Sequence, residues 1–224
     1  MVKEKSCAVE VNNLNKSFKN KKVLCEISFK VSRGEIFGII GPNGAGKTVL
    51  LNTILGLISP DKGEIKIFNK KVFKNLREIR RRINFASSYS QLPPDLDIVS
   101  NLKVFAMLYG IKKPLEKINH LIDFFDLKEL VDSKRLLRYF SSGENARVSL
   151  AKSLLNDPEI ILLDEATASL DNRLAKKTIN LLKKMNKERG LTIIYTTHRL
   201  EELKYFKGTV CCLEAGVIKS IKKP

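Results

Sequence analysis

Apolar residues along the chain form two kinds of pattern, short uninterrupted runs and longer segments with a helical period. The runs at 35–40, 159–165 and 191–196 are apolar on both faces, which predicts strands of a buried parallel sheet. The runs at 7–11 and 23–31 also predict strands, and the second alternates apolar with polar positions. The chain is therefore expected to hold both a buried sheet and a smaller, half-exposed one.

Helical segments separate these runs. They are predicted at 49–55, from 98 to about 156 with breaks at Gly110 and near Ser141, and at 172–189 before Gly190. Strands that alternate with helices indicate an α/β fold with a doubly wound, mainly parallel sheet, whose ligands lie at the carboxyl ends of the strands. We also expect an N-terminal antiparallel β part, an inserted helical subdomain, and a C-terminal hairpin that turns at 214–216.

Composition sets the class of protein and raises one question. The chain has 224 residues and 43% hydrophobic content, as a soluble globular protein has, and no secretory or membrane-spanning segment is evident, so we expect a cytoplasmic location. The net charge of +17 could attract nucleic acid or an anionic membrane face. The lysines are scattered and only 77–82 is densely basic, so dedicated nucleic-acid binding is not expected.

Residues 41–48 are the most specific stretch of the sequence. They fit the phosphate-binding pattern G-x-x-x-x-G-K-[ST] and lie between a predicted strand and a predicted helix. Backbone N–H groups of such a loop, together with the helix N-terminus, bind phosphate oxygens. We expect Lys47 to reach the β- and γ-phosphates of a nucleoside triphosphate and the Thr48 hydroxyl to ligate Mg²⁺. The residues expected to bind the nucleotide here are Gly41, Pro42, Asn43, Gly44, Ala45, Gly46, Lys47, Thr48 and Val49.

A second set of candidate residues follows two later strands. Asp164 and Glu165 end the run at 159–165, and His198 follows the run at 191–196, so all three are expected at the same edge of the sheet as the phosphate loop. Asp164 would hold Mg²⁺, and Glu165 would polarise the water that attacks the γ-phosphate. The alternative for the acid pair is a cap of the next helix. For His198 we expect a phosphate role rather than a structural one.

Residues 140–147 carry a family resemblance. Their sequence, Phe-Ser-Ser-Gly-Glu-Asn-Ala-Arg, is similar to the L-S-G-G-Q-x-x-R signature of ATP-binding-cassette (ABC) transporters. Residues 169–171 match the D-loop of that family, His198 matches its switch histidine, and Phe18 matches its adenine-stacking aromatic. Spacing alone leaves Phe18 open as a core aromatic of the small sheet. Over essentially its whole length the chain resembles the nucleotide-binding subunit of such a transporter.

The resemblance implies a fold, a reaction and partners. It implies a single domain, 1–224, with a P-loop NTPase core at 1–86 and 157–224 and a Q-loop region with a helical signature subdomain at 87–156. It implies ATP and Mg²⁺ as cofactors and ATP hydrolysis within a head-to-tail homodimer or pseudo-dimer. There Ser141 and Gly143 would meet the nucleotide of the other subunit, and Asp171 of the D-loop is also expected to bind nucleotide. Separate integral membrane permease subunits would hold the protein at the inner face of the cell membrane.

Two departures from the family pattern bear on the site. Glu144 replaces a glutamine of the signature, and we expect Arg147 or Lys152 to offset its charge. Where the family has the glutamine that contacts Mg²⁺, this chain aligns Ser88, and Gln91 is the nearest glutamine. Ser88 is therefore the candidate metal contact, with Gln91 as the alternative.

The branch of the family and one other class of ATPase complete the expectations. The chain length and the helical stretch 101–110 favour an exporter of the ABC-2 type. The alternative is a soluble cassette ATPase that acts on the ribosome or on nucleic acid, although such proteins normally carry two cassettes in one chain.

Overall fold

The computed structural model describes residues 6–19, 21–87, 92–198 and 200–223, without the side chains of Leu200 and Glu201. The predicted metal contact Ser88 and its alternative Gln91 lie outside these ranges, so that choice stays a prediction.

Ten strands and eight α-helices alternate along the described chain. The strands are β1 (Cys7–Phe18), β2 (Lys21–Ser32), β3 (Ile36–Ile40), β4 (Lys62–Ile67), β5 (Lys70–Lys71), β6 (Ile83–Ser87), β7 (Ile160–Asp164), β8 (Thr192–Thr197), β9 (Thr209–Glu214) and β10 (Val217–Lys222). The helices are α1 (Lys47–Ile54), α2 (Leu76–Arg80), α3 (Ile98–Leu108), α4 (Leu115–Phe124), α5 (Lys128–Asp132), α6 (Ser142–Ser153), α7 (Asn172–Arg189) and α8 (Leu200–Phe206). Short 3₁₀ turns lie at Val72–Lys74 and Leu137–Tyr139.

The strands form two sheets. An antiparallel sheet has the order β2-β1-β4-β5, which confirms the predicted N-terminal antiparallel part. The larger sheet has the order β10-β9-β3-β8-β7-β6, and every pairing in it is parallel except that of β9 with β10. The predicted doubly wound, mainly parallel sheet and the C-terminal hairpin are thus confirmed.

Alternate residues of the larger sheet face two separate hydrophobic cores. In β8, Ile193 and Tyr195 pack into one core, and Ile194 packs into the other. The first core contains the buried faces of α3, α4, α6 and α7, and the second lies between the larger sheet, α1 and the antiparallel sheet. Burial on both faces explains why β7 is apolar up to Asp164 and why the middle of β8, 193–195, is apolar, since helices or strands cover each side.

The helical insertion runs from α3 to α6, between the edge strand β6 and its neighbour β7. It is interrupted at Gly110, whose φ is 74°, and again before Ser141, which caps α6. Both breaks were predicted from the sequence, but a further break at 125–127, between α4 and α5, where Asp126 has φ 53°, was not. Whether 87–156 behaves as a separate subdomain stays a prediction. Within the described ranges, no helix has the length and apolar character that crossing a bilayer requires.

Candidate nucleotide-binding site

The loop between β3 and α1 is shaped by glycine. Gly46, the residue before α1, has φ 102°, and a Cβ atom there would lie 2.8 Å from the carbonyl oxygen of Val23. Both the backbone angle and the close approach to β2 therefore require glycine. No described side chain caps α1, so its first N–H groups are left for a ligand.

A cavity of about 360 Å³ opens beside this loop, at the carboxyl ends of β3 and β7. It is lined by Val23, Asn43, Gly44, Ala45, Gly46, Lys47, Thr48, Val49, Asp164 and Glu165. The structure thus brings the phosphate loop and the two acids of β7 together, as the strand-end argument predicted. Gly41 and Pro42 contribute through their carbonyl groups instead.

Lys47 is held in place by its own loop. Its Nζ donates to the carbonyl oxygens of Gly41 and Pro42, at 2.8 and 3.2 Å, and lies 3.7 Å from Oε1 of Glu165. The side chain is only 6% exposed. A phosphate oxygen entering the cavity would therefore meet an ammonium group that is already positioned.

Asp164 is oriented by two hydroxyl groups. Thr48 Oγ1 donates to Asp164 Oδ2 at 2.8 Å, and Thr196 Oγ1 donates to Asp164 Oδ1 at 2.6 Å. Hydroxyl and carboxylate oxygens are ligands that suit Mg²⁺, which is usually held by one or two carboxylates together with substrate phosphates. No cluster of three or more His, Cys, Asp or Glu that could hold a metal without a substrate is found among the described residues. The residues present therefore fit Mg²⁺ brought in with a nucleotide.

Glu165 leaves β7 with a change of backbone direction. Its φ is 50°, in the left-handed region, and its N–H donates to Thr196 Oγ1 at 3.1 Å. Such a backbone conformation costs roughly 1 kcal/mol in a residue other than glycine and is most frequent at functional sites. Oε2 of Glu165 lies 3.2 Å from Nδ1 of His198, so the switch-position histidine does reach this carboxylate.

The signature residues begin α6 with a reciprocal cap. Ser141 Oγ accepts from the N–H of Glu144 at 3.2 Å, while the Ser141 N–H donates to Glu144 Oε2 at 2.6 Å. Burial raises the pKa of Glu144, but the hydrogen bonds from Ser141 and the charges of Arg135 and Arg147 outweigh it and hold that pKa below its usual value. The carboxylate is thus folded back into the cap of its own helix.

The expected counter-charges to Glu144 are only partly the observed ones. Arg147 contributes, as predicted, although its guanidinium donates to the carbonyl of Asp126. The closest cation is Arg135, 3.7 Å from Glu144 Oε1, which the sequence did not suggest. The expectation for Lys152 is wrong, because its Nζ donates to the carbonyl of Phe85 instead.

Signature and D-loop meet each other away from the cavity. A Cβ atom on Gly143 would lie 2.9 Å from the carbonyl oxygen of Ser169, two residues before Asp171. Asp171 caps α7 by accepting from the N–H of Leu174 at 3.0 Å, and this bond is the main reason that its pKa is lowered. Among the described residues, Ser141, Gly143 and Asp171 do not line the cavity of the phosphate loop.

Phe18 ends β1 and is 45% exposed, which excludes the alternative of a core aromatic. The centre of its ring lies 5.3 Å from Nζ of Lys16.

Three contributors to the site were not predicted from the sequence. Val23 lines the cavity, Thr196 holds both acids, and the N–H of Gly216 donates to the carbonyl of Ala45 in the phosphate loop at 3.1 Å. Thr196 could have been suggested by a polar residue at the carboxyl end of a buried strand. Val23 lies in β2 and Gly216 in the turn between β9 and β10, and no local pattern indicates either contact.

Comparison with known proteins identifies the family. The ABC transporter family model matches residues 24–168. The methionine import ATP-binding protein MetN of Clostridium acetobutylicum is 36% identical over 217 residues, which cover 94% of this chain and 67% of that protein. The Nod factor export ATP-binding protein I of Bradyrhizobium diazoefficiens is 34% identical over 219 residues, covering 97% of this chain and 71% of that protein.

Solved structures of ABC ATP-binding subunits have the same fold as this chain. An ATP-binding subunit of an ABC transporter superposes with a TM-score of 0.88 at 25% identity, covering 96% of this chain and 90% of that one. A dimeric ATP-binding cassette in a post-hydrolysis state, bound to ADP and Pi, gives 0.85 at 28% identity, covering 96% and 98%. The chain belongs to the ABC transporter family, as an ATP-binding subunit.

Proposed function

We propose that this subunit hydrolyses ATP with Mg²⁺, as one half of a head-to-tail dimer that drives a separate membrane permease. The observation that carries the proposal is the convergence of Lys47, Thr48, Asp164 and Glu165 on one cavity beside the phosphate loop. The named relatives act in transport, which favours this function over a role on the ribosome or on nucleic acid.

Phosphate binding uses groups that are already in place. Amide groups of residues 43–49 and the N-terminus of α1 would surround the β- and γ-phosphates. Lys47 would exchange its bonds with Gly41 and Pro42 for bonds with phosphate oxygens, which carry a larger negative charge. Thr48 and Asp164 would hold Mg²⁺, which neutralises charge on the phosphates when bound.

Glu165 would act as the general base. Its carboxylate lines the cavity, and it would accept a proton from the water that attacks the γ-phosphate. His198, whose Nδ1 lies 3.2 Å from Oε2 of Glu165, would fix the orientation of the Glu165 carboxylate. Phe18, exposed at the end of β1, would stack on the adenine base.

A second subunit would complete the site. Within one chain, the cap of α6 and the neighbouring Asp171 lie apart from the phosphate loop, so they are available to the nucleotide of a partner. A solved cassette with the same fold is a dimer. The partner would be a second copy or another ABC subunit, and Ser141 and the Gly143 amide would meet the γ-phosphate.

The permease and the direction of transport belong to the same proposal. The subunit would lie at the inner face of the cell membrane through its contact with permease subunits. One relative is named for import and another for export. We propose the exporter branch, on the helical stretch 101–110, most of which lies in α3.

Replacement of Glu165 tests the reaction. Glu165→Gln should bind ATP with unchanged affinity and hydrolyse it at least about 100-fold more slowly, because the base is lost but the phosphate contacts remain. Lys47→Ala is the matched variant for binding and should weaken the ATP complex itself. Steady-state hydrolysis and equilibrium dialysis measure the two quantities. Unchanged turnover in Glu165→Gln would remove Glu165 as the base.

The dimer is tested on the same background. With hydrolysis blocked, ATP and Mg²⁺ should convert Glu165→Gln from monomer to dimer in analytical ultracentrifugation. Adding Ser141→Arg should abolish the conversion, because a bulky side chain at the cap would block the partner nucleotide, while ATP still binds each monomer. A monomer that stays monomeric when saturated with ATP, over a range of salt, contradicts the dimer.

A further inference from the structure

The densely basic stretch that the nucleotide site leaves unexplained forms one exposed surface around α2. We define the basic surface as Leu57, Phe73, Lys74, Arg77, Arg80 and Arg81. Four of the eight residues from 74 to 81 are cations, and all four are exposed. Nothing in the proposed hydrolysis uses any of them.

Within the described part of the chain, the cations of this surface have no carboxylate partners. Neighbouring basic residues are paired, since Lys70 bonds Glu78 and Arg82 bonds Glu159. Among the described residues, Lys74, Arg77, Arg80 and Arg81 form no ion pair. The one acid within the stretch, Glu78, is already bound to Lys70 at 2.6 Å. The positive charge of this surface is therefore not cancelled locally.

Three of these cations face the same space. Lys74, Arg77 and Arg81 line an open hollow of about 450 Å³, together with Asn75, Leu76 and Glu78. Arg77 and Arg81 are four residues apart, which places them on one side of a helical turn. A hollow of this kind with three convergent cations suits phosphate groups.

Large apolar side chains border the cations. Phe73 is 37% exposed and directly precedes Lys74. Leu57 is 62% exposed, and Arg80 donates to the carbonyl of the residue before it, Gly56, at 3.3 Å. A free phosphate metabolite offers these apolar groups no surface, and a base-paired duplex, whose bases are stacked inside, presents mainly its phosphates. The interface of a bilayer offers anionic headgroups and acyl chains side by side.

We propose that the basic surface binds anionic phospholipid headgroups at the membrane, with Phe73 and Leu57 entering the interfacial layer. The proposal rests on the proposed function only in that a transporter subunit works next to a bilayer. α2 leads into the amino end of β6, whereas the nucleotide cavity lies at the carboxyl ends of β3 and β7. Lipid binding would therefore leave ATP hydrolysis in solution unchanged.

The experiment compares two variants that lose the same charge. The full chain is sedimented with vesicles of phosphatidylcholine, with and without about 30% phosphatidylglycerol. Arg77→Gln/Arg81→Gln should bind the anionic vesicles about 30-fold more weakly than the wild type, from the contribution of two cations at an anionic surface. The control, Lys184→Gln/Lys187→Gln on exposed positions of α7, should lose less than about threefold. Phe73→Ser should reduce the part of the binding that persists at high salt, where charge is screened.

Hydrolysis rate and unfolding midpoint are measured for every variant, so that a misfolded variant is recognised and a failure of the proposed hydrolysis is seen separately. Equal losses in the two double variants would overturn the proposal, because binding would then reflect the net charge of +17 alone. Equal binding to neutral and anionic vesicles would also overturn it. The proposal would also be overturned if Arg77→Gln/Arg81→Gln kept its vesicle binding but lost affinity for a DNA duplex, since the surface would then bind nucleic acid.

Discussion

Thr196 occupies a central place at the residue scale, although it touches no phosphate in any step proposed above. Its hydroxyl donates to Asp164 and accepts from the N–H of Glu165, which also donates to the main-chain carbonyl of Thr196 at 3.2 Å, so one residue holds both acids at the end of β7. A hydroxyl can do this because it is both a donor and an acceptor. The position of the metal carboxylate and the position of the base therefore depend on the same side chain.

Thr196→Val keeps the shape of the side chain and removes this link. We expect the hydrolysis rate to fall about tenfold. The bond from Thr196 to Asp164, worth roughly 1 kcal/mol, is lost, and the N–H of Glu165 keeps only the main-chain carbonyl of residue 196 as its acceptor. The loss should be larger at limiting Mg²⁺, because Asp164 then has only Thr48 to orient it. Hydrolysis measured across a Mg²⁺ titration tests both statements.

The control is Thr178→Val in α7. Thr178 is fully buried, and its hydroxyl has no hydrogen-bond partner among the described residues, so the same change should leave hydrolysis unaffected. If Thr196→Val follows the wild-type Mg²⁺ curve as Thr178→Val does, Thr196 has no positioning role.

At the scale of elements, the sequence predicted best where a pattern is local. α7 begins at Asn172 and ends at Arg189 as predicted, because Asp171 caps its start and Gly190, with φ 69°, ends it. β1 extends to Phe18, well past the predicted end at Val11. The prediction ended too early because the second half of the strand is polar and bulged. Pairing with β2 and β4, and not apolar alternation, makes that half a strand. α2 has five residues, too few to show a helical period.

The same distinction applies to the site. The phosphate loop and the acids of β7 were predictable because each motif is contiguous and the parallel sheet brings strand ends together. The position of Arg135 beside Glu144 was not predictable, because it depends on the path of the loop before α6. Gly216 was not either, since its contact with Ala45 is set by the docking of the last hairpin. Tertiary placement of this kind leaves no trace in local spacing.

Lys152 links α6 to β6 at the cost of burying an amine. Its Nζ donates to the carbonyl of Phe85 at 3.0 Å and lies 5.4 Å from the centre of the Phe105 ring. Burial lowers its pKa to about 8. Tyr109, the residue after α3, donates from its hydroxyl to Asn84, and burial raises its own pKa. No described carboxylate pairs with Lys152.

The lowered pKa has a stability consequence with a definite sign. Between pH 8 and the ordinary lysine value of 10.5, the unfolded chain carries a proton at Lys152 that the folded chain has released. The contribution of Lys152 to the free energy of unfolding therefore rises with pH in this window. Lys152→Met removes that contribution. Between pH 8.5 and 9.5, we expect the free energy of unfolding of the wild type to increase relative to that of Lys152→Met by up to about 1 kcal/mol.

Denaturant unfolding at several pH values measures this difference. The buried thiol of Cys211, whose pKa is raised to about 12, acts in the opposite direction above pH 9, but it is present in both proteins and cancels. Lys184→Met, at an exposed position, is the matched control. Parallel pH curves for wild type and Lys152→Met would contradict the prediction.

At the scale of the whole molecule, the turn of the C-terminal hairpin contacts the phosphate loop and supports it. Gly216 donates to Ala45 of the phosphate loop at 3.1 Å and accepts from the N–H of Cys25 in β2 at 2.8 Å. Its φ is 76°, and a Cβ atom there would lie 2.4 Å from the carbonyl oxygen of Val23. One turn thus joins the antiparallel sheet, the larger sheet and the loop that binds phosphate.

Gly216→Ala should therefore damage both stability and binding. We expect the free energy of unfolding to fall by roughly 1–3 kcal/mol from backbone strain and the steric clash, and ATP affinity to fall because Ala45 loses its support. Gly110→Ala is the control, as its φ is 74° but nothing lies within 4 Å of the added atom. Denaturant unfolding and equilibrium dialysis separate the two effects. Equal ATP affinity in both variants would show that the hairpin does not support the loop.

The place of β3 in the sheet also fixes when this protein becomes functional during its synthesis. β3 lies between β8 and β9, both from the last part of the chain, so the strand that leads into the phosphate loop is made early and paired late. Contacts of such high sequence separation fold slowly, and a chain growing on the ribosome would hold an apolar strand with two open edges until β8 emerges, and with one open edge until β9 emerges. The strand that leads into the phosphate loop therefore gains its second neighbour only when β9 pairs. Chains halted before β9 would keep an open apolar edge and would be prone to aggregate.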